Sequence, residues 1–170
     1  EKNIKISVAT KTKQGGERVR VENLALGYTE PVFTHLTFSL KDSERVFLKG
    51  RNGAGKSTLV RSILALSKGQ IPSAIQLDGK ITLDKDLRIG EYEQEISSRY
   101  LPLSLEEAVR VSYREKKINI EDRQVKSLLA QYLFDPIMDG QQRIANLSGG
   151  QKARFQLIKM LIGDPDLLIL

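Results

Sequence analysis

The residues with the clearest chemistry in this sequence lie in one glycine-rich segment, residues 50–57, which reads GRNGAGKS. The segment matches the phosphate-binding pattern G-x-x-x-x-G-K-[ST] without a gap. Its glycines allow the backbone to curl tightly and to turn N–H groups toward an anion. Lys56 supplies a positive charge for the β- and γ-phosphates, and Ser57 supplies a hydroxyl for Mg²⁺. The sequence therefore predicts a phosphate-binding loop, reinforced by the positive end of the helix that follows it.

A second glycine pair lies near the start of another predicted helix, in Leu147-Ser148-Gly149-Gly150-Gln151. A hydroxyl followed by two flexible backbone N–H groups can bind an anion by the same physics as the first loop. The same residues can also serve only as the N-cap and entry of the helix. Taken alone, this segment leaves both interpretations open.

Strands and helices alternate in the predicted elements that hold these two segments. Strands are predicted over residues 17–26, 33–40, 46–49, 87–92 and 167–170, with a turn over residues 27–31. Residues 75–83 predict a hairpin in which Asp78-Gly79 separates the two arms. Helices are predicted over residues 56–66, 104–116, 121–134 and 150–162, the second of them with a capping box formed by Ser104 and Glu107. Short apolar strands between helices predict an α/β architecture with an antiparallel β portion at the front.

Length and composition narrow the class of protein. The 170 residues, 40% of them hydrophobic, suffice for one buried core and exclude a wholly disordered chain. The absence of cysteine excludes a disulfide scaffold and a cysteine-based zinc site. No apolar run reaches about 18 residues, so no transmembrane segment is predicted, and with a polar start a cytoplasmic location is expected. Because the chain begins with Glu1 and ends inside an apolar run, we expect it to be a fragment of a longer protein.

The net charge of +6 is unevenly distributed, since residues 1–20 alone carry +4. Residues 1–16 are interpreted as a basic linker or tail, which either contacts a phosphate-rich surface or is simply solvated.

The two glycine segments together resemble those of the nucleotide-binding domains of the ABC ATPase superfamily. Residues 50–57 resemble the Walker A loop, and residues 147–151, followed by Lys152-Ala153-Arg154, resemble the signature motif. Gln94, 38 residues after Lys56, falls at the position of the Q-loop glutamine, and Tyr28 falls near that of the A-loop aromatic residue. The resemblance covers about residues 17–170, interpreted as an incomplete ABC nucleotide-binding domain. It implies an α/β P-loop NTPase core of the ABC type, an antiparallel β subdomain, and a helical subdomain, about residues 95–150, carrying the signature motif.

The resemblance also implies roles for individual residues, with ATP and Mg²⁺ as ligands. Ser57 and Gln94 are implied to meet Mg²⁺ and its water. The signature segment is implied to contact ATP held by a second ABC domain, either in the same full-length chain or in a homodimer. The residues implied to bind nucleotide are Tyr28, on the adenine, and Gly50, Asn52, Gly53, Ala54, Gly55, Lys56, Ser57 and Thr58; those of the signature segment are Leu147, Ser148, Gly149, Gly150 and Gln151.

The full-length protein is accordingly expected to be an ATPase. Residues 165–170 resemble the Walker B strand, but the aspartate and catalytic glutamate that follow that strand in the family are not among these 170 residues. We therefore assign no catalytic residue and expect the 170 residues by themselves to bind ATP weakly without hydrolysing it. The single histidine, His35, lies in a predicted strand and is expected to have no catalytic role.

Three kinds of ABC protein fit the sequence. The favoured interpretation is the second domain of an ABC-F protein, acting on the ribosome and its RNA, because a basic segment runs into Val19-Arg20-Val21-Glu22-Asn23-Leu24 and residues 110–126 carry a local charge of +3. The first alternative is the ATP-binding subunit of a membrane transporter, in which the region after Gln94 receives a helix of the membrane subunits. The second alternative is a scaffold fragment that binds without hydrolysis.

Overall fold

The computed structural model describes residues 16–170, so the predicted basic linker, apart from Gly16, lies outside the described residues. This part of the chain divides into two compact units, residues 16–89 and residues 90–170. Across residues 16–170, no helix is long and apolar enough to cross a bilayer.

The first unit is built on an antiparallel sheet. Its elements are β1 (Glu17–Gly27), β2 (Pro31–Lys41), α1 (Lys56–Ser67) and β3 (Ile75–Leu83). The strands lie in the order β2-β1-β3, so that β1 pairs with a neighbour on each side. The β1 side chains Val21 and Leu24 are completely buried, and α1 buries Leu59 and Ile63. The antiparallel portion at the front of the chain, predicted from the sequence, is confirmed, as are the turn after Gly27 and the helix after the glycine-rich loop.

The predicted hairpin over residues 75–83 is wrong, because β3 is one continuous strand. Between the pairs Glu22–Lys80 and Ala25–Asp78, β1 has two residues where β3 has only Gly79. This bulge places Gly79 at a φ of +74°, and a Cβ there would lie 2.3 Å from two carbonyl oxygens of β1. The Asp-Gly pair therefore allows a close approach between strands and does not reverse the chain.

The predicted buried strand over residues 46–49 is also wrong. Val46, Phe47 and Leu48 are 46%, 81% and 39% exposed, and this segment belongs to neither sheet of the described residues. A short apolar run fits a buried strand, but a strand also needs a neighbouring backbone to pair with its N–H and C=O groups.

The second unit is mainly helical. Two short strands, β4 (Ile89–Glu91) and β5 (Leu167–Ile169), pair with each other, and the helices are α2 (Leu105–Glu115), α3 (Asp122–Gln131) and α4 (Gly149–Leu161). Single 3₁₀ turns cover Ser98–Tyr100 and Ile144–Asn146. The core gathers completely buried side chains from the helices and the first 3₁₀ turn, including those of Tyr100, Leu105, Val109, Val125, Leu129 and Phe155.

The N-terminus of α2 shows how local sequence sets a helix boundary. The Ser104 hydroxyl accepts a hydrogen bond from the Glu107 N–H, while the Glu107 carboxylate accepts one from the Ser104 N–H at 2.8 Å. The predicted capping box is confirmed. The pKa of Glu107 is lowered first by the hydrogen bond from the Ser104 N–H and then by one that the Ser104 hydroxyl donates to the same carboxylate at 2.9 Å, because both stabilise its charged form.

Candidate nucleotide-binding site

The glycine-rich loop leads directly into α1, whose N-cap is Gly55 in a left-handed conformation at φ +82°. No side chain caps this end of α1, and its first turn contains no acidic residue. The backbone N–H groups of the first turn and the positive end of the helix dipole are therefore left for an external anion.

Two glycines of the loop have left-handed φ angles but different surroundings. A Cβ on Gly53, at φ +83°, would meet nothing within 4 Å. A Cβ on Gly55 would lie 2.6 Å from Phe33 Cδ1 and 2.9 Å from Val32 Cγ1. Gly55 is thus required both by its conformation and by the close packing of the loop against the start of β2. The motif predicts a glycine at this position, but only the contact with Val32 and Phe33 shows that packing also requires it.

The Lys56 side chain is hydrogen-bonded to the backbone of its own loop. Its Nζ donates hydrogen bonds to the carbonyl oxygens of Gly50 at 2.8 Å and Arg51 at 2.9 Å. Both acceptors are neutral, so the ammonium keeps its full charge for an anion, together with one further N–H donor. The next residue, Ser57, is exposed in the first turn of α1. Its hydroxyl therefore suits a metal ion that is held mainly by nucleotide phosphates.

Tyr28 lies in the bend between β1 and β2 and is 48% exposed. The bend is tight, since a Cβ on Gly27 would lie 2.1 Å from the carbonyl oxygen of Glu30. The start of β2, which packs against the phosphate loop, follows this bend within the same unit. The structure therefore places a half-exposed aromatic side chain in the bend just before the strand that packs against the loop.

The signature segment forms the start of α4. The Ser148 hydroxyl accepts a hydrogen bond from the Gln151 N–H at 3.2 Å, and the Gln151 amide oxygen accepts one from the Ser148 N–H at 2.9 Å. The interpretation as an N-cap is therefore correct for Ser148. It does not account for Gly149 and Gly150, which are exposed and whose Cβ atoms would meet nothing within 4 Å. Glycine weakens a helix relative to alanine, so helix capping alone does not explain two glycines in open space at this position.

Asp139, which sequence reasoning missed, supports this end of α4. Its carboxylate accepts a hydrogen bond from the Gln151 side-chain amide at 3.0 Å. Asp139 itself sits in a turn organised by Asp135, whose carboxylate accepts hydrogen bonds from the N–H groups of Ile137 and Met138. The spacing of the two aspartates is a signal for such a turn, but the contact with Gln151 is tertiary.

Gln94 follows β4 in the second unit and is exposed. It lines a groove with Gly149, Lys152 and Gln156 of α4, so the Q-loop position and the signature segment share one surface. Ser57, the other residue predicted to meet Mg²⁺, belongs to the first unit. Within residues 16–170, no group of three or more His, Cys, Asp or Glu side chains is arranged to hold a metal ion.

Most of the chain matches one known protein family. A sequence model described as "ABC transporter" matches residues 33–170. The zinc import ATP-binding protein ZnuC of Buchnera aphidicola is 31% identical over 158 residues, covering 91% of this chain and 60% of that protein. The zinc transport system ATP-binding protein AdcC of Streptococcus pneumoniae is 32% identical over 161 residues, covering 89% of this chain and 68% of that protein. This chain thus spans about two thirds or less of the length of these relatives.

Solved structures share the fold. CbiO1 from Clostridium perfringens, described as part of the ABC transporter complex cbiONQ, superposes with a TM-score of 0.65 at 21% identity. The match covers 91% of this chain and 64% of that one. The predicted fold class, an ABC-type P-loop NTPase with mixed α/β structure, is confirmed.

The interpretation as an ABC-F protein acting on the ribosome is wrong, because most of the similar relatives are named as ATP-binding proteins of transport systems. The structure shows why the sequence features misled. Val19, Val21 and Leu24 are buried in the sheet, so their pattern indicates packing of β1 and does not indicate a partner.

The basic residues that favoured RNA are partly neutralised as well. Arg18 is buried and paired with Asp42 at 2.6 Å and with Asp84; the hydrogen bond to Asp42 is the main cause of a pKa above the usual value for arginine. In the helical unit, Arg110 is paired with Glu106 and Asp122.

Proposed function

Since the chain belongs to the ABC transporter family, we propose that it is the ATP-binding part of an ATPase subunit that drives a membrane transporter. The observation that carries the proposal is the phosphate loop, with an uncapped helix N-terminus behind Lys56. The names of the relatives, which are ATP-binding proteins of transport systems, support the transporter context.

The phosphates of ATP would lie over the loop, where backbone N–H groups and the end of α1 stabilise their negative charge. Lys56 would turn its free N–H toward the β- and γ-phosphates without giving up both carbonyl contacts. Ser57 would offer its hydroxyl to the Mg²⁺ that accompanies the nucleotide, and Tyr28 would stack on the adenine. The loop residues Gly50, Asn52, Gly53, Ala54, Gly55 and Thr58 would surround the phosphates.

The second half-site is the N-terminus of α4. We propose that Leu147, Ser148, Gly149, Gly150 and Gln151 contact ATP bound to a second ABC domain, with the two exposed glycines allowing close backbone approach. Gln94 would approach Mg²⁺ and its water. The proposed partners are therefore that second domain and the membrane subunits of the transporter, at the cytoplasmic face of the membrane.

Hydrolysis is proposed for the whole protein. For the 170 residues by themselves we expect ATP binding without hydrolysis, because the Walker B aspartate and the catalytic glutamate implied by the resemblance are not among them.

The first test is an ATP titration of the purified full-length protein and its Lys56→Ala variant. Loss of one charge-assisted contact to phosphate is expected to weaken ATP binding by about 10- to 100-fold, equivalent to about 1.5–3 kcal/mol. Lys68→Ala, at the opposite end of α1, is the matched control and is expected to bind ATP like the unmodified protein. Equal affinity of the Lys56→Ala and Lys68→Ala variants would contradict the proposal.

The transporter context needs a separate test. Affinity purification from membranes solubilised in mild detergent is expected to recover a multispanning membrane protein in stoichiometric amount. Recovery of the protein without such a partner would refute the transporter context and leave the ATP-binding proposal intact.

A further inference from the structure

The residue before Gln94 is anchored to α4 at two points. The Lys159 ammonium donates to the Glu93 carboxylate at 2.7 Å, and the Gln156 side-chain amide donates to the Glu93 carbonyl oxygen at 2.9 Å. Gln156 and Lys159 are three residues apart and therefore lie on the same face of α4. Glu93 is thus held through its side chain and its backbone by one helix.

Lys159 is itself fixed by its surroundings. Its side chain is only 11% exposed, and its Nζ lies 4.5 Å from the centroid of the Tyr100 ring and 6.0 Å from that of Phe155. The two rings pack edge to face at a centroid distance of 5.7 Å. The Tyr100 hydroxyl donates to Glu115 of α2 at 2.7 Å, which fixes the ring in turn. A largely buried ammonium between a carboxylate and aromatic rings has little freedom to move.

The helix that carries these anchors begins at the signature segment. α4 runs from Gly149 to Leu161 with Ser148 as its N-cap, so Lys159 lies about 16 Å along the axis from that cap. An α-helix of this length moves as a rigid element. A displacement of the signature segment along α4 would therefore reach Glu93 through Gln156 and Lys159.

We propose that Lys159, with Gln156, is a positioning residue that makes Gln94 and the signature segment move together. The inference rests on the proposed function, in which Gln94 serves the ATP of its own domain and Ser148–Gln151 serve the ATP of the opposite domain. Engagement of the signature segment by the partner's nucleotide then places Gln94 for hydrolysis at the other site. The Glu93–Lys159 contact thereby couples the two half-sites.

The test is steady-state ATP hydrolysis by the full-length protein in its assembled state. Lys159→Met keeps the length of the side chain and removes its charge, and is expected to lower kcat about tenfold while the KM for ATP changes less than about twofold. Lys159→Arg should retain most of the activity, because a guanidinium can also pair with Glu93 and stack on Tyr100. Lys126→Met, an exposed lysine of α3 in the same unit, is the matched control and should behave like the unmodified protein.

A second variant guards against a folding defect in Lys159→Met. Glu93→Gln, a neutral isostere at a less buried position, should also lower kcat. The double variant should have a kcat no lower than that of Lys159→Met alone, because both changes remove the same Glu93–Lys159 contact. If Lys159→Met and Glu93→Gln both fold and keep kcat within about twofold of the unmodified protein, the positioning role is refuted. That result, together with loss of ATP binding in Lys56→Ala, would leave the proposed function standing. Retention of ATP binding in Lys56→Ala would instead count against the proposed function itself.

Discussion

Gly53 and Gly55 of the phosphate loop provide a matched pair for testing how the loop is built. Both have left-handed φ angles, +83° and +82°, but only Gly55 packs against side chains of β2. Replacing each by alanine therefore applies the same conformational cost and a different packing cost.

The magnitudes follow from this geometry. An alanine held in the left-handed region costs about 1–2 kcal/mol at either position. At Gly55 its Cβ would also lie 2.6 Å from Phe33 Cδ1, so Phe33 and Val32 must move. Such overpacking costs about 1–3 kcal/mol more. If the whole cost is expressed as lost affinity, Gly53→Ala weakens ATP binding about 5- to 30-fold and Gly55→Ala about 30-fold or more, because about 1.4 kcal/mol corresponds to tenfold in affinity.

The assay is a fluorescent-nucleotide titration combined with urea unfolding followed by circular dichroism. Both measurements are needed. If the variant loop keeps its shape, the strain lowers the free energy of unfolding, and if the loop relaxes, the altered shape lowers the affinity for ATP. The sum of the two free-energy changes should be larger for Gly55→Ala than for Gly53→Ala by about 1–3 kcal/mol. Equal sums for the two variants would refute the argument that packing against β2 requires Gly55.

Three further predictions concern stability and use urea unfolding. Gly79→Ala should lower the free energy of unfolding by about 2–5 kcal/mol, because its Cβ would lie 2.3 Å from backbone oxygens of β1. The control Gly69→Ala, at φ +66° in open space, should lower it by only about 1–2 kcal/mol. Similar losses in the two variants would contradict the close approach of Gly79 to β1. Arg18→Met should lower the free energy of unfolding by about 2–3 kcal/mol, because it leaves two partly buried carboxylates unpaired. Arg20→Met, at an exposed position of the same strand, should lower it by less than about 1 kcal/mol. The reverse order would refute this account. Hydrogen bonds from the N–H groups of the turn, Met138 first, lower the pKa of Asp135 in the folded protein, so its stabilisation is complete above the unfolded value of about 3.9 and is lost as the pH falls through the lower folded value. Asp135→Asn should therefore show a shallower loss of stability with pH than the unmodified protein below about pH 4, and parallel curves would contradict this.

Much of the candidate site was predictable because its residues act on their immediate neighbours. The phosphate loop and its helix need only residues 50–57 and the apolar spacing that follows. The capping boxes at Ser104 and Ser148 each join residues three positions apart. Such contacts are encoded by short patterns, so they can be recognised without knowledge of the rest of the fold.

The errors arose where a local pattern had to be completed by a distant part of the chain. Asp78-Gly79 fits a hairpin locally. In the structure, Asn23, 55 residues earlier, donates a hydrogen bond to Asp78, and Gly79 lies opposite two residues of β1 in a bulge. Phe47 fits a buried strand locally, but no strand of the described residues pairs with its segment. The basic residues that suggested RNA are a third case, since Arg18 is paired with Asp84, 66 residues away.

The sequence by itself thus determined the phosphate loop, the signature segment at a helix N-terminus, and the family to which both belong. The tertiary structure decided which glycine is constrained by packing, which cations are neutralised, and how Glu93, the residue before Gln94, is held. Glu93 and Lys159 are also 66 residues apart, and neither belongs to a recognisable motif. Their contact exists only because the helical core brings α4 beside the segment that follows β4, and no short-range pattern records that proximity.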